Sequence, residues 1–431
     1  MRVLIKNVRV INPLKKQSQI MDIAVDEGNI AKIARHIPSF SGARVFAAEG
    51  MLACPGLVDM HVHLRDPGYE YKETIASGTR AAGRGGFTTV CCMPNTNPPI
   101  DSAATVEYIL KKSSQEASVR ILPIGAITKG LAGAELSEIG DLKAAGVVAI
   151  SDDGRPVSSA EIMRRAMEYA GMFCLPVISH CETEELSAGG VMNEGFVSTV
   201  LGLKGIPRLA EITMASRDIE IARYTGGHIH IAHVSCKETV DLVRRAKKEK
   251  VRVSCECTPH HFTLSDEAVL QYDTNTKVNP PLRTAADITA LKKGLADGTI
   301  DCIVTDHAPH AAAEKDVEYD LAPFGIVGLE TAVGLCASEL VHTGVLTWEQ
   351  LIAKMSLNPC RVLNIDGGCL REGVRADITI IDPQREWTVD PSKFKSRSRN
   401  TPFGGRALRG DVVLTICNGI PVYSAEPFAA S

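Results

Sequence analysis

No apolar run in this sequence reaches the roughly 18–20 residues that a membrane-spanning helix needs. The stretch from Met1 to Pro13 alternates apolar and polar residues like a strand. It lacks the charged start, long apolar segment and small-residue cleavage site of a secretory signal. Neither sign of charge dominates: 47 Lys and Arg stand against 51 Asp and Glu, for a formal net charge of -4, and no long basic block occurs. A nucleic-acid partner is therefore not expected, while a few local Arg and Lys suffice for a small acidic substrate. Aromatic residues supply only 5% of the chain, against 45% hydrophobic and 23% charged. That balance excludes disorder, collagen and coiled coil, and leaves a soluble globular protein. The 13 cysteines are odd in number and scattered through apolar segments, so no disulfide framework is expected. They read as reduced, mostly buried thiols of a cytoplasmic protein. No Ser sits in a Gly-x-Ser-x-Gly elbow, which disfavours a serine hydrolase. Gly83-Arg84-Gly85-Gly86 precedes a strand, whereas a nucleotide fingerprint follows one, so it reads as a helix cap and turn. The basic stretch Lys393–Arg399 reads as a solvated loop.

The two ends of the chain resemble each other. Val3–Ile5, Val8–Ile11 and Met21–Val25 are strand-like, with a hairpin turn at Asp26–Asn29. Ala376–Ile381 and Val412–Ile416 are strand-like near the other end, with a turn at Asn418-Gly419. Neither piece is long enough for its own core. Residues 1–54 and 371–431 are therefore expected to form one composite small β domain.

Residues 55–370 have another rhythm, in which short apolar runs alternate with helical patterns. The strand candidates are Leu57–His63, Thr88–Met93, Arg120–Ala126, Val147–Ser151, Cys174–Ser179, His228–His233, Val251–Cys255 and Ile300–Thr305. Helical segments such as Ser102–Lys112, Ser159–Ala170 and Thr239–Lys248 separate them. Eight strand–helix units predict an α/β fold, a (β/α)8 TIM barrel; a doubly wound open sheet is the alternative.

Polar residues decide between the two. Side chains at i, i+2 and i+4 share one strand face. On that count the inward rows are Asp59, His61, His63; Thr89, Cys91, Met93, Asn95; Val147, Ala149, Ser151, Asp153; Pro176, Ile178, His180; Ile229, Ile231, His233; and Cys302, Val304, Asp306. Each ends on a potential ligand or polar anchor at the C-terminal end, where barrel enzymes build their sites. His61, His63, Asp153, His180, His233 and Asp306 suit a divalent metal such as zinc, with two ions favoured over one. Asp153 is a candidate bridge between them, and Asp306 a candidate to ligate a metal and move a proton. Asp152 would take the place of Asp153 if the Asp-Asp-Gly turn slipped by one residue. His228, His230, His260 and His261 read as polar caps or supporting residues. Cys255-Glu256-Cys257-Thr258-Pro259-His260-His261 lacks the ligand spacing of a structural zinc site.

Pro55-Gly56-Leu57-Val58-Asp59-Met60-His61-Val62-His63-Leu64-Arg65 resembles the metal-binding opening of the cyclic amidohydrolases, in the amidohydrolase superfamily. Met93-Pro94-Asn95-Thr96, Ser151-Asp152-Asp153-Gly154, His180-Cys181-Glu182, Met192-Asn193-Glu194-Gly195, His233-Val234-Ser235, Val278–Arg283 and Thr305–His310 are similar to the pattern of class I dihydroorotases. The resemblance implies a cyclic-amide hydrolase of de novo pyrimidine (UMP) biosynthesis. Its reaction would be the reversible cyclisation of N-carbamoyl-L-aspartate to L-dihydroorotate, using zinc. The nucleophile in hydrolysis would be a metal-bridging hydroxide, with Asp306 as general acid/base. Arg65, Asn95 and His310, beside His63, would bind the substrate carboxylate; Asn279 and the backbone of Phe324 and Gly325 would hold the ring amides. The loop from 311 to 325 is long enough to cover the site.

Two rivals are weighed. Hydantoinases, dihydropyrimidinases and allantoinases bridge their metals with a carboxylated Lys on the fourth strand. That strand here ends Ser151-Asp152-Asp153-Gly154, and Lys143 lies too far back. A non-catalytic dihydroorotase-like partner of aspartate transcarbamoylase would lack ligands, which this chain keeps. A homodimer and a complex of the active enzyme with aspartate transcarbamoylase both stay open.

An aspartate bridge needs no carbon dioxide. Apo-protein refilled with zinc in bicarbonate-free buffer should hydrolyse dihydroorotate as fast as protein refilled with bicarbonate. A rate that rises with bicarbonate would reveal a carboxylated Lys in place of Asp153.

Overall fold

The computed structural model describes residues 1–14 and 17–426. Eight parallel strands form the central sheet: Leu57–Val62, Phe87–Cys92, Arg120–Gly125, Ala149–Ser151, Val177–Ser179, Ile229–Ile231, Val253–Cys257 and Cys302–Ile303. They lie side by side in chain order. The ends are joined by a parallel bridge between Val62 and His307, with the His63 amide donating to the His307 carbonyl at 2.9 Å. Asp59 reinforces that seam, accepting from the Thr305 hydroxyl at 2.6 Å and from the Thr305 and His61 amides. The expected (β/α)8 barrel is present. The open-sheet alternative fails because the first and last strands meet.

The helices behave as amphipathic crossovers. Ala160–Met172 starts on Ser159, whose hydroxyl accepts from the Ile162 amide, and buries Met163, Ala166, Met167 and Ala170. Lys237–Lys248 buries Val240 and Val243 and carries Arg245, Lys247 and Lys248 in its last turn, where cations meet the negative end of the helix dipole. These apolar faces pack on outward strand residues such as Val90, Ile150, Val177 and Cys255. The barrel interior is filled by Met60, Cys91, Met93, Ile124, Ala149, Ile178, Ala232, Cys302 and Val304, so its lower part is a packed plug and not a channel. The polar side chains cluster at the mouth and in one row beneath it, from Glu256 through His230 to Ser254.

A second sheet is made from both ends of the chain. Arg2–Asn12 pairs with Gln17–Asp26, Ala43–Ala47 and Leu52–Pro55. Leu52–Pro55 pairs in turn with Ile378–Thr388, and that strand with Ala407–Cys417. Val3, Ile5, Ile23 and Val25 share its core with Ile378, Ile380, Val413 and Ile416. All thirteen cysteines are free thiols. Among the described residues, no helix is long and apolar enough to cross a membrane.

Two inward rows differ from expectation: Met60, which the first strand's row skips, packs into the interior beside a register shift between Asp59 and Val62, and the sixth strand reverses its row. On the sixth barrel strand Ile229 and Ile231 pack outward against the helices, while His230 and Ala232 face the interior. Simple alternation would send His233 outward too. It enters the mouth because its backbone turns left-handed, at φ 30°, as the strand ends. Strand alternation holds only while the backbone stays extended.

Candidate metal and active site

At the mouth, five of the six ligand candidates form two triads that share His61. Ligand atoms of His61, Asp153 and His233 lie within 4.8 Å of one another, as do those of His61, His63 and Asp306. All five residues are buried. His61 Nε2 is 3.2 Å from Asp153 Oδ1, and His63 Nε2 is 3.0 Å from Asp306 Oδ1. His180, the sixth, stands at the edge of this group, with Nδ1 3.0 Å from His233 Nε2 and 3.7 Å from Asp153 Oδ1. Asp152 is not part of it. Its carboxylate accepts from the amides of Ile127 and Thr128 and from the Thr128 hydroxyl, and burial pushes its pKa up to about 6. Lys143 is exposed on the helix Ile139–Ala145, before the fourth strand.

The electrostatics explain what such a cluster requires. Burial alone would raise the Asp153 carboxyl, but the imidazoles of His61, His233 and His63 hold it well below the usual carboxylate range. Asp306 is treated alike: burial opposes its charge, and His63, His61 and His233 lower its pKa. Conversely, burial disfavours a charged His61, but Asp153 and Glu256 raise it well above the ordinary imidazole value. Buried carboxylates thus demand positive charge among the imidazoles. A divalent cation meets the same demand through lone pairs. Two atoms fit that role directly: His61 Nε2 and Asp153 Oδ1 are buried and accept or donate no hydrogen bond. The donor set, imidazole nitrogen with carboxylate oxygen, suits zinc and similar ions.

Three residues around the mouth hold left-handed backbones although none is glycine: Arg65 at φ 60°, His233 at φ 30° and Asp306 at φ 47°. Each is a local cost of order 1–3 kcal/mol, accepted where a side chain must be re-aimed.

A cavity of about 220 Å³ opens over the cluster. It is lined by His63, Arg65, Asn95, Asn279, His310, Phe324 and Gly325, together with Asp153, His180, His233 and Asp306. Larger clefts of about 650 and 530 Å³ elsewhere contain no member of either triad. His63 Nδ1 donates to Asn95 Oδ1 at 2.9 Å, leaving its Nε2 for the centre, and Asn95 Nδ2 donates to the Asp153 carbonyl. Arg65 Nε donates to the Pro309 carbonyl at 3.1 Å, and its Nη2 approaches His310 Nε2 at 3.5 Å. His310 Nε2 donates to the Phe324 carbonyl at 2.8 Å. Burial, with Arg65, Lys315 and Lys72 nearby, lowers the His310 pKa to about 3, so it is neutral. Gly325, at φ 123°, admits no side chain: a Cβ there would lie 2.6 Å from Ala308 Cβ.

The loop 311–325 is pinned by two lysines that sequence reasoning missed. Lys277 Nζ donates to the Tyr319 and Asp320 carbonyls and lies 4.8 Å from the Phe324 ring centroid. Lys315 Nζ donates to the carbonyls of Thr274 and Pro323. Burial and the nearby Lys277 lower the Lys315 pKa to about 7.

Two carboxylates were also missed. Glu182 accepts from His180 Nε2 at 3.0 Å and from Asn279 Nδ2 at 2.8 Å. Glu256 accepts from His61 Nδ1 at 2.8 Å, and hydrogen bonds from His230 and His61 bring its pKa to about 2 against burial. The alternation Ser254, Glu256 places Glu256 inward, but Val253–Cys257 is buried along its whole length, and only its contact with His61 gives Glu256 its role. Among the described residues, the ligand atoms of the Cys and His residues flanking Glu256 do not converge as a third group. Arg283, at the end of a motif the resemblance quoted, serves the scaffold by donating to Ser235, Asn193 and the Ile206 carbonyl.

Comparisons with known proteins follow the same lines. Residues 50–239 match the family model described as Dihydro-orotase-like. The chain is 58% identical over 97% of its length to a protein named dihydroorotase from Pelotomaculum thermopropionicum, covering 98% of that relative. It is 54% identical over 96% of its length to one of the same name from Acetivibrio thermocellus, covering 97% of it. Among solved structures, the L-hydantoinase (dihydropyrimidinase) from Arthrobacter aurescens aligns with a TM-score of 0.88 at 25% identity, over 98% of this chain and 96% of that one. A D-hydantoinase aligns at 0.87 with 21% identity, over 100% of this chain and 97% of that one, a likeness of fold.

The two adjacent aspartates should separate in a metal analysis. Asp153→Ala should lower metal content, whereas Asp152→Ala should lower it far less and mainly reduce stability. Equal metal loss in both variants would overturn this assignment.

Proposed function

We propose that this chain, which belongs to the dihydroorotase family, closes N-carbamoyl-L-aspartate reversibly to L-dihydroorotate in pyrimidine biosynthesis. The observation that carries the reading is the pairing, in one cavity, of a metal-type cluster with Arg65, Asn95 and His310. We further assign it to the class I dihydroorotases, with zinc as the metal and two ions at His61, His63, Asp153, His180, His233 and Asp306. The free thiols support a cytoplasmic setting.

Bound there, the metal would supply Lewis acidity to the carbonyl and acidify the attacking water. The chain's own residues do the rest. Arg65 offers its guanidinium to the substrate carboxylate, Asn95 adds an amide N–H, and His310 joins that contact by turning its Nε2–H from the Phe324 carbonyl to the carboxylate. Asn279, held by Glu182, faces the ring amide, and Gly325 brings backbone close to it. Asp306 remains an anion at neutral pH and so accepts the proton of the attacking water in hydrolysis. It returns that proton to the leaving nitrogen; in cyclisation the transfers reverse. Lys277 and Lys315 keep the covering loop in place and exclude water.

A hydantoinase or dihydropyrimidinase activity is the second reading, favoured by the structural neighbours. Their substrates carry no ring carboxylate, and Arg65 separates the two readings. The zinc-loaded protein should hydrolyse dihydroorotate much faster than dihydrouracil. Arg65→Met should weaken dihydroorotate by about 1.5–3 kcal/mol and leave dihydrouracil almost unchanged. A parent that prefers dihydrouracil would sink the proposal. Asp306→Asn should keep most of the metal and lose ~10²–10⁴-fold in rate; a loss of only a few-fold would remove Asp306 from proton transfer.

A further inference from the structure

Beneath the proposed centre, an unbroken hydrogen-bonded chain runs into the barrel. Glu256 Oε1 lies 2.8 Å from His61 Nδ1, and Glu256 Oε2 lies 3.0 Å from His230 Nε2. His230 Nδ1 lies 2.7 Å from Ser254 Oγ, which lies 2.8 Å from His228 Nε2. His61, His230 and Glu256 are fully buried, Ser254 nearly so, and half-buried His228 closes the chain. Among the described residues, the ionic partners of Glu256 are these two imidazoles, with no Lys or Arg.

With His230 and His228 neutral, the polarity of this chain has one solution once His61 binds through Nε2. A ligand nitrogen presents a lone pair, so the proton sits on Nδ1 and is donated to Glu256. The other Glu256 oxygen can only accept, so His230 carries its proton on Nε2. Its Nδ1 is then an acceptor, filled by the Ser254 hydroxyl, and the Ser254 oxygen accepts from His228 Nε2. No buried donor or acceptor in the chain is left over.

We infer that Glu256 is a positioning residue for the metal centre: it sets the tautomer and ring orientation of His61, and His230, Ser254 and His228 hold Glu256 in place. This rests on His61 being a metal ligand, as proposed above. The shared carboxylate fixes the ring and increases its basicity as a donor, and loss of such a partner typically costs 10–100-fold in metal affinity. Glu256 touches no part of the substrate cavity, so its effect reaches the reaction only through His61.

Glu256→Gln removes the charge and keeps the shape. Its amide oxygen still accepts from His61, and the rest of the chain can reverse its protons. The zinc dissociation constant, measured by chelator competition, should rise ~10–100-fold. KM for dihydroorotate at saturating zinc should stay near the parent value. The melting temperature should fall more for the zinc-loaded protein than for the apo-protein. Should that variant not fold, His230→Phe takes its place. It keeps the Glu256–His61 contact but removes the second donor, and should weaken zinc less than His61→Ala does. Zinc affinity within threefold of the parent, or equal falls in the apo and loaded melting temperatures, would overturn the inference. His61→Ala, run alongside, separates the two levels. If it binds zinc as tightly as the parent, the proposed centre fails; if it loses zinc while the Glu256 variant does not, only the role of Glu256 fails.

Discussion

Negative charge buried at and just beneath the barrel mouth is the constraint that the rest of this structure answers. Asp153, Asp306 and Glu256 are withdrawn from water, and each keeps its charge only because imidazoles surround it. Taking a carboxylate out of water costs several kcal/mol, so an arrangement of this kind persists only if cations are supplied on the spot. Histidines gathered from strands one, five and six provide that, and a divalent metal provides it better. The closed barrel is what brings strands so far apart in sequence to one place.

Bringing the side chains together is not free. The β-barrel delivers alternate residues to its interior, but ligands must converge on points, not on rows. The chain resolves the conflict at strand ends, where the backbone of Arg65, His233 and Asp306 turns left-handed. Strand-end strain is tolerable here because the plug of apolar side chains below, from Met60 to Val304, over-determines the position of each strand. Rigidity beneath thus permits irregularity above.

The rest of the cavity's lining follows a different logic. Its contacts come from loops, and backbone does as much as side chains. The Phe324 carbonyl and the Gly325 backbone reach the cavity because Lys277 and Lys315 tie the surrounding loop through its carbonyls. A lysine used in this way is a clip, not a charge partner. That is why burial can lower the Lys315 pKa toward 7 without loosening the loop: a neutral amine still donates.

The eight strand–helix units, the placement of both chain ends in one sheet and the polar strand ends that meet at the barrel mouth were all legible in the sequence. Period-2 patterning, turn residues and the polar ends of apolar runs are local features, and they survive without knowledge of neighbours. Alternation favoured Asp153 over Asp152 but left the Asp-Asp-Gly turn open, and the structure separates them by turning Asp152 to Ile127 and Thr128 while Asp153 joins the cluster. His230 was legible as a supporting residue, but Glu256, Glu182, Lys277 and Lys315 were not, because what each does depends on a partner distant in the chain or on a backbone carbonyl. The inward row of the sixth strand was misread for the same reason, since a left-handed residue leaves no periodic trace. The amino-acid sequence by itself determined which residues could hold a metal and on which strands they lie. Only the tertiary structure decided which carboxylate faces which imidazole, because those distances arise when the barrel closes and water is driven out of its mouth.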